Sequence, residues 1–90
     1  MSENMDKRKE VEISLDFPVQ LADRKLEKLV MRRPVMGDII DYPIKDGNDL
    51  KGELALYAHL CGMNPEEMRQ IDSADYAKLQ KLYLLFRSDA

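Results

Sequence analysis

One histidine and one cysteine, His59 and Cys61, are the residues best suited to metal binding or nucleophilic catalysis. Such a pair can supply part of a metal site or act as base and nucleophile. Residues two positions apart do not share a helix face, and the chain has no further histidine or cysteine to complete a site. We therefore predict no metal centre and no catalytic centre. Cys61 is expected to be buried near a helix end, with His59 at the boundary of the core or on the surface.

Four carboxylates stand where helices are expected to begin: Glu66, Glu67, Asp72 and Asp75. Acidic side chains at a helix start accept backbone N–H groups and offset the positive end of the helix dipole. We interpret all four as capping residues rather than as an acid–base pair. The segment Met36-Gly37-Asp38 has a single glycine, which is too little for a phosphate-binding loop. We therefore predict no cofactor.

Basic side chains gather in one segment of the chain: Arg24, Lys25, Lys28, Arg32 and Arg33. On a strand, such charges can protect a sheet edge from unwanted pairing. The alternative is a patch that meets an acidic partner surface, and the sequence leaves both interpretations open. The formal net charge is −3, so we predict no general affinity for nucleic acid.

The length of 90 residues limits the chain to one domain with a modest core. Polar residues of mixed charge predict a flexible tail at 1–10, followed by a folded domain at 11–90. A single cysteine permits no intrachain disulfide, which favours a reducing compartment. The first ten residues lack the apolar stretch of a secretion signal, and no run of about 18 apolar residues could span a membrane. We expect a soluble cytoplasmic protein.

The first half of the folded region has the pattern of a β-hairpin. Apolar residues alternate with polar ones from Val11 to Phe17, which predicts a half-buried strand that Pro18 ends or kinks. Residues 22–25 suit a tight turn, and residues 26–33 predict a second strand with Leu29 and Met31 on one face. An isolated hairpin is marginal in water, so helices or further strands must cover it.

Helical spacing begins after the hairpin. Val35, Ile39 and Tyr42 are spaced for a short helix that Pro43 ends. A second helix is expected to begin after Asn48, its predicted cap. Its apolar face is formed by Leu50, Leu54, Tyr57 and Cys61.

Gly62 follows that helix at a position where a left-handed residue would end it. Residues 64–67, Asn-Pro-Glu-Glu, then combine a side-chain cap, a proline at the first helical position and acids in the first turn. A longer helix follows, with a stripe formed by Tyr76, Leu79, Tyr83 and Phe86. We predict an α+β fold in which an N-terminal β-hairpin is followed by three to four helices in a small single domain.

The last helix is more apolar than one buried face requires, because Leu84 and Leu85 extend its stripe. A helix that is apolar around much of its circumference is buried on several sides. In a chain of this size, the additional burial can come from an internal core, from another copy or from a partner helix. The sequence leaves these sources open.

Several segments in order resemble the small tail assembly chaperones of Mu-like and P2-like contractile-tailed bacteriophages. The resemblance is carried by residues 60–68, LCGMNPEEM, by residues 75–80, DYAKLQ, and by residues 33–38, RPVMGD. It extends from about Val11 to Phe86. None of these segments is a catalytic signature.

The resemblance implies a protein that is not an enzyme and has no cofactor. It implies binding to the tape measure protein, a long helical chain that would be kept soluble until the tail tube forms around it. It further implies action in the bacterial host cytoplasm, several copies on one client or a homo-oligomer, and absence from the mature virion. Many members of this family are also made in a longer form through a translational frameshift. The predicted last helix stops shortly before Ala90, which fits the short form.

We predict six residues that contact the client: Leu79, Leu82, Tyr83, Phe86, Met63 and Met68. The same six residues could instead belong to the hydrophobic core. Methionine suits such a surface because its thioether chain repacks easily. The alternative function is a small DNA-binding regulator with a helix-turn-helix-like C-terminal half. Glu66 and Glu67 argue against it, because they would repel phosphates at the start of the helix after the turn.

Overall fold

The predicted α+β architecture is confirmed for residues 10–88, the part of the chain that the computed structural model describes. The described elements are β1 (Glu10–Gln20), β2 (Lys25–Arg32), α1 (Met36–Asp41), α2 (Leu50–Leu60), α3 (Pro65–Met68) and α4 (Ser73–Ser88). The hairpin is thus followed by four helices in this range. Most of the predicted tail, residues 1–9, lies outside the described residues, and Glu10 is the first residue of β1.

The two strands form an antiparallel sheet whose pairing is interrupted in β1. Pairing is regular as far as Ser14 opposite Lys28, and it resumes at Val19 opposite Leu26. The four residues 15–18 of β1 therefore face a single residue of β2. Such a bulge tolerates the proline at position 18, because no ladder hydrogen bond is needed there.

The bulge changes which side chains of β1 reach the core. Leu15 is buried, as the alternating pattern predicts, and Ile13 is half-buried. Phe17 is 55% exposed, so its predicted place on the buried face is wrong. The bulge shifts the pleat between Leu15 and Phe17, because a strand keeps two-residue alternation only while pairing is regular. In β2, Leu29 and Met31 are buried as predicted.

Asp75 of α4 supplies the hydrogen-bond acceptors that the bulge lacks. Its two carboxylate oxygens accept the backbone N–H groups of Asp16 at 2.9 Å and Phe17 at 3.0 Å. The ammonium of Lys78 lies 3.1 Å from the same carboxylate and donates to the carbonyl of Ser14 at 3.0 Å. These contacts hold α4 against β1.

Burial of Asp75, whose side chain is fully inaccessible, opposes its ionisation. The N–H donors of Asp16 and Phe17 and the neighbouring Lys78 outweigh this effect and lower the pKa of the Asp75 carboxyl. The prediction that Asp75 is simply a helix cap is therefore wrong. Asp72 takes the capping role, since its carboxylate accepts the N–H of Ala74 at 2.9 Å.

The remaining helix ends follow local sequence signals, with one exception. Gly62 has a φ of 69°, as predicted for the residue that ends α2. The Asn64 side chain accepts the N–H of Glu67 at 2.8 Å, which confirms the predicted cap of α3. The prediction of Asn48 as the cap of α2 is wrong. Asp49 performs that role, because its carboxylate accepts the N–H groups of both Gly52 and Lys45.

One core joins the inner face of the hairpin to the helices. Its buried members are Leu15, Leu29, Met31, Leu56, Tyr57, Ala58, Leu60, Met68, Ile71, Leu79, Tyr83 and Phe86. The helices cover the hairpin as the fold prediction requires, since two strands alone bury too little apolar surface. The same helices provide the outer surfaces where a site can form.

We expect Asp75→Asn to destabilise the domain by about 2 kcal/mol at pH 7, because an amide group is a poor acceptor for two buried N–H donors. The folded-state pKa of Asp75 is lowered from an unfolded value of about 3.9, so its contribution is complete above that value and is lost as the pH falls below it. Unfolding in urea at pH 7 and at pH 3 measures both effects.

Asp72→Asn is the matched control for this experiment. Asparagine caps a helix about as well as aspartate, so this variant should unfold close to wild type. The Asp75→Asn protein should lose less stability between pH 7 and pH 3 than wild type. Equal stability of the two variants at pH 7 would contradict the role of Asp75 in the bulge.

Candidate functional site

Apolar side chains on the surface mark the candidate site. Within residues 10–88, nine large apolar side chains are at least one-third exposed: Val11, Phe17, Val30, Val35, Met36, Ile40, Leu50, Leu84 and Leu85. Single exposed apolar residues are ordinary, but those that line a concave surface point to binding. Leu84 and Leu50 each line a groove, and these two grooves are the candidate binding surfaces.

The first groove, here called the α1–α4 groove, has a volume of about 390 Å³. Its lining consists of Ile39, Ile44, Leu56, Tyr83, Leu84 and Arg87. Arg87 donates to the Tyr83 hydroxyl at 3.1 Å, and its guanidinium lies 5.9 Å from the centre of that ring. This contact fixes one wall of the groove, while Leu84 is 66% exposed along it.

A buried ionic cluster holds α1 beside the groove. The Asp38 carboxylate accepts hydrogen bonds from the Arg32 guanidinium at 2.7 and 2.8 Å and from the Val35 N–H at 2.9 Å. The His59 Nε2 atom lies 3.0 Å from the same carboxylate, and Tyr42 stacks on the imidazole at 4.5 Å between ring centres. The hydrogen bonds from Arg32 are the main reason that the pKa of Asp38 lies well below its usual value.

Because the Asp38 side chain points into the protein, part of the predicted apolar face of α1 is exposed to solvent. Val35 is 63% exposed, whereas Ile39 and Tyr42 are half-buried. Met36 and Ile40 are 65% and 69% exposed. The short helix therefore presents apolar side chains to solvent because its polar residue occupies the interior.

The second groove lies between the first half of α2 and α3, and is here called the α2–α3 trough. Its larger part, about 430 Å³, is lined by Leu50, Lys51, Leu54, Pro65, Glu66 and Arg69. An adjoining depression of about 210 Å³ shares Leu50, Leu54 and Arg69 and adds Met68, Ile71, Ser73 and Tyr76. The shared lining makes the two depressions one continuous surface with an apolar floor.

Hydrogen bonds between helices fix the shape of the trough. The Glu53 carboxylate of α2 accepts the Tyr76 hydroxyl at 2.8 Å and the Gln80 side-chain amide at 2.9 Å, both from α4. Burial and the nearby Glu53 raise the pKa of Tyr76 far above its usual value, so its phenol stays a donor. Arg24 of the hairpin turn holds Glu67 of α3 at 3.2 and 3.3 Å.

The six residues predicted to bind a client are distributed between core and grooves. Met68 belongs to the floor of the trough and Tyr83 to a wall of the α1–α4 groove. Leu79 is fully buried, and Phe86 is buried below the Arg33 guanidinium, which lies 5.6 Å from its ring centre. Leu82 and Met63 are half-buried against the core. Contact of these residues with a client stays a prediction.

The sequence prediction did not select the most exposed groove residues, Leu84 and Leu50. A signal for Leu84 was present in the apolar excess that Leu84 and Leu85 give to this helix beyond one buried face. For Leu50 the spacing was misleading, because it fits the same apolar face as Tyr57. Tyr57 is buried, whereas Leu50, at the first turn of α2, is 59% exposed.

His59 and Cys61 have structural roles. His59 lies against Asp38 and Arg32, and burial raises the pKa of the Cys61 thiol to about 12. A thiol with so high a pKa is a weak nucleophile at neutral pH. Within residues 10–88, no three His, Cys, Asp or Glu side chains are grouped to hold a metal ion. In the same range, no helix is both long and apolar enough to cross a membrane.

The helix-turn-helix alternative requires a recognition helix after Gly62. The element in that place is α3, which has four residues. Four residues make about one turn, too short to place several side chains along a DNA groove. The structure therefore gives no support to the DNA-binding hypothesis.

Comparison with known proteins finds one matching family. The model for "Phage tail assembly chaperone proteins, E, or 41 or 14" matches residues 12–87, which include every described helix in whole or in large part. No curated protein and no solved structure matches the chain.

Substitutions of two leucines in α4 test which of them belongs to the core and which to the surface. We expect Leu79→Ala to destabilise the domain by about 2–5 kcal/mol, because it empties a fully buried site. Leu84→Ala, at a 66% exposed position on the same helix, should change stability by no more than about 0.5 kcal/mol. Chemical denaturation of both variants measures the difference, and similar losses would show that Leu84 is not a surface residue.

Proposed function

The chain belongs to the phage tail assembly chaperone family, and on that premise we propose that it binds the tape measure protein and keeps it soluble during tail assembly. The observation that carries this proposal is the exposed apolar surface of the two grooves. A long helical client exposes apolar side chains until the tail tube encloses it, and such surface aggregates in water unless it is covered. Grooves between helices suit that task, since an amphipathic helix can lay its apolar face into them.

We propose that the protein acts without catalysis and without a cofactor. The two residues closest to a catalytic pair support this view. His59 is engaged with the Asp38–Arg32 pair, and the raised pKa of Cys61 keeps its thiol protonated. Neither contributes to either groove.

Many copies on one client suit a domain of this size. A groove of a few hundred cubic ångströms covers a short client segment, so a long client needs many such contacts. Contacts that are weak singly become strong when several copies or sites act together. We propose action in the host cytoplasm as multiple copies or a homo-oligomer, absence from the mature virion, and a longer frameshifted form. Residues 11–90 would act as the binding domain.

We retain the six predicted residues as part of the proposed contact region. Leu82 and Met63 would meet the client at the surface. Met68 and Tyr83 would meet it within the grooves, and the buried Leu79 and Phe86 would support the helix from below. Leu82 is the most informative position, because it is half-buried on the helix that also carries Leu84.

Co-expression with the tape measure protein encoded beside this chain tests the proposal. We expect a soluble complex that contains several copies of the chaperone per client, measured by affinity purification and light scattering. Leu82→Asp should reduce the amount of client retained, because a charge replaces an apolar contact. Lys81→Asp, at the neighbouring exposed position, is the matched control and should retain the client.

Circular dichroism of Leu82→Asp separates binding from folding. Intact helical content with loss of client supports Leu82 as a contact residue, whereas loss of helical content assigns it to the core. An insoluble client with the wild-type chaperone eluting alone would overturn the proposed function.

A further inference from the structure

Two cationic side chains on the rim of the α2–α3 trough distinguish it from the α1–α4 groove. Lys51 of α2 and Arg69, which follows α3, are both exposed and line the trough. Neither forms an ion pair or a side-chain hydrogen bond with any of residues 10–88. Several other basic residues in that range are paired, such as Arg24 with Glu67 and Lys78 with Asp16 and Asp75.

The floor between these cations is apolar and continuous. Leu50 and Leu54 stand one helical turn apart, and Met68 and Ile71 line the smaller depression with them. A ridge of leucines at this spacing can receive side chains from a second helix at i, i+3, i+4 and i+7. Nucleic acid does not fit this surface, since a sugar–phosphate backbone offers nothing to cover the apolar floor.

The trough is already formed before any partner binds. The hydrogen bonds of Tyr76 and Gln80 to Glu53 lock α4 against α2, and the Asn64 cap fixes the start of α3. Binding therefore costs little conformational entropy in the chaperone. The chemistry of the rim can then determine which segment binds.

We infer that the α2–α3 trough binds an amphipathic helical segment of the client whose apolar stripe is flanked by carboxylates. This inference rests on the proposed function, since it names the surface and the class of client segment. Carboxylates on either side of the stripe would meet Lys51 and Arg69. Glu66 is the single acid beside these two cations in the lining, so the rim keeps a net positive charge.

The test uses two labelled synthetic peptides with the same leucine stripe, one flanked by glutamates and the other by lysines. Fluorescence anisotropy with the full-length wild-type chain should show binding of the glutamate peptide about tenfold tighter than of the lysine peptide. The double variant Lys51→Glu/Arg69→Glu should reverse this preference. Lys81→Glu, at an exposed lysine outside both grooves, should bind as wild type does.

Equal binding of the two peptides by wild type, or an unchanged preference in the double variant, would overturn the inference. Co-purification with the full client separates this failure from that of the proposed function. If wild type and the double variant retain the client equally, the trough assignment is wrong and the chaperone proposal stands. If wild type retains no client, the proposed function fails.

Discussion

A single buried carboxylate determines how the helical half of this protein meets its hairpin. Asp75 accepts two backbone N–H groups from a bulge that β2 cannot pair, and Lys78 offsets its charge. A buried charge without partners would be strongly destabilising, and two unpaired buried N–H groups would add to that cost. The carboxylate and the two N–H groups pair with each other, and this pairing favours the observed position of α4 against β1. That position places Tyr76 at the trough and Tyr83 at the α1–α4 groove.

The parts of the fold that the sequence predicts correctly depend on neighbours in the chain. Gly62 ends a helix and Asn64 begins the next because the residues beside them supply the geometry and the donors. The burial of Leu29 and Met31 likewise follows from simple alternation. Local rules therefore sufficed for the hairpin, for the four helices and for most of their ends.

The parts that the sequence mispredicts depend on distant partners. Asp75 has the position of an ordinary helix-start acid, yet it accepts hydrogen bonds from a strand 59 positions away. Asp38, in the first turn of α1, also lies against His59, a partner that local sequence does not reveal. Phe17 follows the alternating pattern but lies in a bulge whose hydrogen bonds come from another element. Of the candidate site, the apolar excess of α4 could be predicted, but not which leucines face outward, because that depends on how the helix is rotated against the core.

The long separation between Asp75 and its partners also bears on the order in which the parts of the fold can form. During synthesis, the N–H of Asp16 emerges 59 residues before the carboxylate that accepts it. Closing so long a loop is slow compared with forming a local helix or turn, so we expect these two hydrogen bonds to form after the local ones. The last helix therefore completes the first strand, because its Asp75 supplies the acceptors for the bulge. The α1–α4 groove and the smaller part of the trough include side chains of this helix, so both surfaces are complete only once it has packed against the rest of the domain.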